Sequence, residues 1–436
     1  MKEVSLPATT GHGEKVFLSK PVSPLRVARG LRRSVLDLAP LFGGHEVISF
    51  SLAGATWHIG RSPEWARHVI GSRSMWADLG VLPLGLVGHP TYYAMGGLPG
   101  APPDEHRSVR RAVIRSGPTG AVDLQVVRAG LATAERLATD PSSRIVDLTV
   151  FARALFLHTT AAAVVGVRLD GTAIRRVLHW FDAWTRLLSN PLIAVGGPGL
   201  PFTPAGRLRT VLARWYGWLE SLLHGPCAEG GLAARLRSRT ADGVMPVQEA
   251  VGYLATVLFA GTEPPAHTLL WAYTHVVDAG TTTTAGLPGV PDSVNSRRAE
   301  VLLCESFRVR PAVNLVVRRV FKADEQAKRR QRRPCHSASA ETFVVAPPLA
   351  HQHSNERHGL PGYFRPLTDG PTHLDPDEYP GLGTGAHYCV GARLGMTVGR
   401  EALMLLWREA ELLRAPDPRP AGLITSLPRR LPVIRW

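Results

Sequence analysis

The sequence has 436 residues, 44% of them apolar and 19% charged, which provides for a large core and argues against an intrinsically disordered chain. Its formal net charge of +15 suits nucleic acid, an anionic membrane surface or an acidic protein, and only motifs decide among them. Four cysteines, Cys227, Cys304, Cys335 and Cys389, show no paired CxxC spacing, so neither a disulfide framework nor a cysteine zinc site is supported.

The first residues lack the apolar stretch of a signal peptide, and a cytoplasmic protein is expected. Residues 44 to 61 form two β-branched and aromatic runs around a glycine, the pattern of a hairpin. Ser62 and Pro63 then cap a short helix. Residues 79 to 103 are rich in Gly and Pro and nearly uncharged, which suits a cover over something apolar. Helical periodicity follows near 104 to 117, 120 to 138, 146 to 166, 170 to 189 and 206 to 224. Between the last two, prolines and glycines break the uncharged stretch, which predicts no membrane-spanning helix there.

Residues 246 to 279 are the longest apolar helical candidate, interrupted at Gly261, Pro264 and Pro265, and predict a buried central helix with a break. A helix near 296 to 309 leads into a β-branched strand-like run. The basic run at 328 to 333 lacks interleaved aromatics and reads as a solvated loop, not a nucleic-acid patch. A last helix starts after Cys389 and ends before Pro416. With no repeat or linker, residues 1 to 436 are expected to form one domain, mainly α with small β-sheets. Its β-containing parts fall roughly at 44–61 and 312–350, its helical parts roughly at 104–309 and 390–415.

Residues 382 to 391, LGTGAHYCVG, carry the most specific chemistry. Glycines let the backbone pass close under a flat macrocycle, while amide N–H groups and the start of a helix favour a thiolate at Cys389. A thiolate ligand pushes electron density towards O–O cleavage. The segment resembles the cysteine-ligand loop of the cytochromes P450, with Gly383, Gly385, His387, Cys389 and Gly391 where that family has them. Leu382 stands where the family usually has Phe.

Three further segments resemble the same family in the same order. Glu305 and Arg308, three apart on one helix face, match its ExxR ion pair, whose third partner falls at Tyr363-Phe364 or the adjacent Arg365. His106 and Arg110 match an HxxxR pair that contacts the haem propionates, a role also matched by His387 and by Arg318, or its neighbour Arg319. Ala260-Gly261-Thr262-Glu263-Pro264 aligns with Ala-Gly-x-acid-Thr, with Pro264 in the place of the hydroxyl. Prolines at 264 and 265 deprive the carbonyls of Ala260 and Gly261 of helical donors, an opening that water is expected to fill.

The resemblance implies a cytochrome P450-type fold, with a long central helix over haem b and the cysteine loop beneath it. Cys389 would bind the iron, and His106, Arg110, Ala260, Gly261, Arg318, Gly383, His387 and Gly391 would complete the cofactor site. Glu263, with Thr262 or Thr268, would handle protons. The implied partners are dioxygen, an apolar natural-product-like substrate, and an acidic ferredoxin or flavodoxin attracted to Arg110, Arg111 and Arg393. Hydroxylation is the family's default; Pro264 motivates oxidative coupling or cyclisation as a second reading, and a non-catalytic accessory protein is a third.

Overall fold

Alternation of buried and exposed side chains builds the first sheet strands. Val4, Leu6 and Phe17 are buried while Val16 and Leu18 face out, so β1 (Lys2–Leu6) and β2 (Lys15–Pro21) pair antiparallel with one apolar face. The computed structural model describes residues 2–6, 15–31, 35–52, 55–72, 75–76, 103–116, 122–139, 145–188, 200–281, 295–320, 341–350, 380–383, 388–412 and 432–435.

Helices α1 (Pro24–Leu31) and α2 (Ala39–Phe42) lead to β3 (Val47–Leu52) and β4 (Ala55–Gly60), the antiparallel pair expected from the sequence. The Ser62 hydroxyl accepts from the Trp65 amide at 3.1 Å and caps α3 (Pro63–Gly71), which starts on Pro63. After β5 (Met75–Trp76) come α4 (Pro103–Ser116), α5 (Leu124–Ala138), β6 (Ile145–Asp147), α6 (Leu148–Thr160) and α7 (Gly171–Leu188). They are followed by α8 (Pro204–His224), α9 (Leu232–Ala241), α10 (Val247–Ala260), α11 (Glu263–Thr281) and α12 (Ser296–Val309). Strands β7 (Val316–Val320) and β8 (Glu341–Val345), helix α13 (Ala392–Glu409), and strands β9 (Ala410–Leu412) and β10 (Pro432–Arg435) complete the order.

The chain divides into two compact units. One holds residues 1–79, 313–364 and 374–389 and is built on a seven-stranded sheet in the order β1-β2-β3-β4-β8-β7-β5. Its core centres on Trp65, whose Nε1 donates to the Val344 carbonyl at 2.9 Å and whose ring meets Phe17 edge-on at 5.3 Å. A side chain at Gly60 would overlap that indole, so the strand passes the helix only as glycine.

The other unit holds residues 80–312, 365–373 and 390–436, with a small sheet β6-β10-β9. Helix α6 is its centre. The stretch Leu148–Val165 is the one segment among the described residues long and apolar enough to cross a membrane, and 78% of it is buried inside the fold, which makes it a core helix. Helix α5 packs on it through Gly130, where an added Cβ would lie 2.9 Å from Thr159 Oγ1. Residues Ala161–Val165 continue α6 as a π-helical turn that ends at Gly166, φ +82°.

Most expected helices appear within a few residues of their predicted bounds. The central candidate is two helices, α10 and α11, parted at Gly261 and Thr262 where the glycine and prolines placed the break. Strands β1 and β2 and helix α9 were not anticipated: the strands are short, and α9 starts on Gly231 without a side-chain cap.

Candidate functional site

In the sheet unit, the cysteine loop is closed by its own backbone. The Cys389 amide donates to the Leu382 carbonyl at 2.7 Å, and Gly383 adopts φ +73°, a left-handed turn that disfavours a side chain. Cys389 is a half-buried thiol in no disulfide among the described residues. Residues 384–387, including Gly385 and His387, lie outside the described residues, as does the 363–365 segment.

Arg318 on β7 is 6% exposed. Its Nη1 donates to the Val317 carbonyl at 3.1 Å, its Nε has no partner among the described residues, and burial lowers its pKa to about 10. Among the described residues this buried guanidinium has no counter-ion, a costly state that a bound anion would relieve. A half-buried thiol beside a glycine turn and a buried cation on the sheet of the same unit fit a haem: one suits iron, the other a propionate.

In the helical unit, α4 carries the HxxxR pair. Arg110 is half-buried; the His106 side chain lies outside the described residues. Glu305 and Arg308 on α12 meet as a two-pronged ion pair, Nη2 to Oε1 and Nε to Oε2 both at 2.7 Å, with side chains only 11% and 16% exposed. Gly391 is exposed, and the Gly395 amide donates to its carbonyl at 2.8 Å in the first turn leading into α13. Further along, a Cβ at Gly395 would sit 3.6 Å from Pro265, so α13 runs against the break in the central helix.

That break is closed in a way the prolines alone do not reveal. The Thr160 hydroxyl donates to the Gly261 carbonyl at 3.0 Å, which corrects the expectation that this carbonyl awaits water. Gly261 must be glycine, because a Cβ would lie 2.6 Å from Thr160. Ala260 is exposed. Thr262 and Thr268 are buried, and their hydroxyls donate to helix carbonyls, Leu258 at 2.6 Å and Pro264 at 3.3 Å.

Glu263 is 1% exposed and is held by Arg153, whose Nε donates to Oε1 at 2.7 Å and whose Nη1 donates to Asp182 at 2.6 Å. Burial raises the Glu263 pKa, Arg153 pulls it back, and Asp182 adds a further rise, leaving it above the ordinary carboxylate range. Burial alone would lower the Arg153 pKa, but the two carboxylates more than compensate and it is raised. The sequence reading missed Arg153, Asp182 and Thr160. One signal was present: Arg153 is the only charged residue in the apolar stretch 148–165, and such a charge needs a partner.

With this geometry, the fold is that of the cytochromes P450. CYP175A1 from Thermus thermophilus superposes with TM-score 0.67 at 17% identity, over 95% of this chain and 99% of that one. P450BioI, solved in complex with a fatty-acyl carrier protein, gives 0.69 at 12% identity over 94% and 100%. CxnD, a cytochrome P450 for C–S bond formation in chuangxinmycin biosynthesis, gives 0.67 at 16% identity over 91% and 93%. A scan against family models and a search of curated proteins both find no match.

Proposed function

We propose that this chain is a single-domain haem-thiolate oxidase that oxidises an apolar, natural-product-like small molecule. The observation that carries this reading is the Cys389 glycine turn in the same unit as the buried Arg318, which has no counter-ion among the described residues. Haem b, bound through Cys389, would supply dioxygen activation and accept electrons one at a time.

This chain's own residues prepare the chemistry around it. Arg318 would neutralise a propionate, and Arg110, His106 and His387 would supply further donors. Cys389 precedes α13 by three residues, so the helix's positive end favours its ionised form. Glu263, buried and raised in pKa, can take and release a proton, and Arg153 holds its carboxylate in one orientation. Electrons would come from an acidic ferredoxin or flavodoxin docking at Arg110, Arg111 and Arg393, and reduction should slow as ionic strength rises.

Pro264 favours a second reading, oxidative coupling or ring closure. With a ring where the hydroxyl usually stands, and both nearby threonine hydroxyls given to backbone carbonyls, a polar group of the substrate would complete the proton path. The experiment is a ligand screen for a haem spin-state shift, followed by turnover with ferredoxin, its reductase and NADPH. An oxidised product supports the proposal, and its structure separates hydroxylation from coupling. Protein that retains no haem contradicts both readings and leaves an accessory role.

A further inference from the structure

A groove between α4 and α9 shares only Arg111 with the residues assigned above, at the proposed electron-donor face. Its volume is about 490 Å³, within the range of small-molecule sites. Arg111 and Arg115 enter it from successive turns of α4, and Arg235 and Arg239 from successive turns of α9. Glu229 is its only acidic lining residue.

None of these four guanidinium groups has a carboxylate partner among the described residues. Arg111 and Arg235 each spend one Nε donor on a backbone carbonyl, Arg107 at 3.2 Å and Gly230 at 3.3 Å. The Arg239 Nε is buried and unpartnered. Two helices bring four like charges to one open groove, Arg111 and Arg115 exposed and Arg235 and Arg239 half-buried, and an entering anion would relieve their mutual repulsion.

The charge in the groove specifies the ligand. Four guanidinium groups against one carboxylate leave three positive charges in excess, which matches a diphosphate and not a single carboxylate. Planar guanidinium forks pair bidentately with phosphate oxygens. The Glu229 carboxylate repels phosphate but accepts a hydrogen bond from a hydroxyl or amine. We infer that this groove binds a small diphosphate ester carrying such a donor, of which a nucleoside diphosphate is the simplest. The ligand would tie α9 to α4, the helix that bears Arg110.

Isothermal titration of the purified protein with inorganic pyrophosphate and with ADP, at constant ionic strength, tests this. Both bind at a single site. The double variant Arg235→Glu/Arg239→Glu weakens both by at least about tenfold, as loss of charge-assisted pairs requires. The double variant Arg175→Glu/Arg176→Glu, exposed on α7, makes the same change in net charge and stays within about twofold of wild type if the site is local. Glu229→Gln tightens pyrophosphate binding about threefold or more by removing a like charge. No binding by wild type, equal loss in both double variants, or unchanged affinity in Arg235→Glu/Arg239→Glu overturns the inference. If that variant does not fold, Glu229→Gln decides: unchanged or weaker pyrophosphate binding overturns it. Slowed reduction by an acidic ferredoxin in Arg235→Glu/Arg239→Glu, with no diphosphate binding, assigns the groove to protein docking and also overturns it.

Discussion

The cysteine loop and the break in the central helix face the same chemical task with opposite degrees of conformity. The loop keeps glycine where backbone must turn sharply and cysteine where a ligand is needed, and its amide bond from Cys389 to Leu382 holds it closed. The break keeps the glycine and the acid but replaces the hydroxyl with Pro264, and it is stabilised by two groups from α6, Thr160 and Arg153. The loop is therefore shaped by local sequence, whereas the surroundings of Glu263 are set by contacts from residues about 100 positions away.

The largest expected effects break the buried ion pairs on either side of this comparison. Arg153→Ala leaves Glu263 buried without its partner and should cost about 3 to 5 kcal/mol, seen as a lower urea midpoint. The double variant Arg153→Met/Glu263→Gln should recover most of that loss, since no uncompensated charge remains. Glu305→Ala takes the two-pronged carboxylate from Arg308 and should also cost about 3 to 5 kcal/mol, giving misfolded, haem-free protein. A folded, haem-loaded Glu305→Ala protein with only slower turnover would contradict its structural role.

A smaller effect concerns acid. His267, one turn beyond Glu263 on α11, is fully buried, and burial, with Arg310 and His275 adding to it, lowers its pKa to about 3. Burial and Arg310 likewise lower His275 to about 4. The unfolded chain takes up these protons near the ordinary imidazole value of about 6.5, so stability is complete above that pH and is lost as pH falls towards 3. Melting temperature should fall in that window, and His267→Phe should flatten the fall; an unchanged slope would place the sensitivity elsewhere.

The smallest change expected is at Pro264. If a polar substrate group completes the proton path, Pro264→Thr should leave product formed per NADPH nearly unchanged with the native substrate, while analogues stripped of polar groups should be poorly coupled. Clear improvement by Pro264→Thr, or equal coupling for all substrates, would remove the case for substrate assistance.

What the sequence revealed followed the range of the interactions involved. The Ser62 cap, the α10–α11 break and the Glu305–Arg308 pair all lie within a few residues, and each was legible from spacing. The bond from Arg153 to Glu263 spans 110 residues, and nothing near Glu263 announces its partner. The same holds for Thr160 and Gly261, whose proximity depends on how α6 packs beside the central helix pair. The α4–α9 groove was invisible for a related reason: its arginines look solvated on each helix and converge only when the two helices pack.

The central claim is that Cys389 is the iron's thiolate ligand. The most direct measurement is the absorbance spectrum of the reduced carbon monoxide complex for wild type and Cys389→Ser. The account predicts a thiolate-type spectrum for wild type that is abolished in Cys389→Ser. Retention of that spectrum in the variant would make another cysteine the ligand and contradict the account.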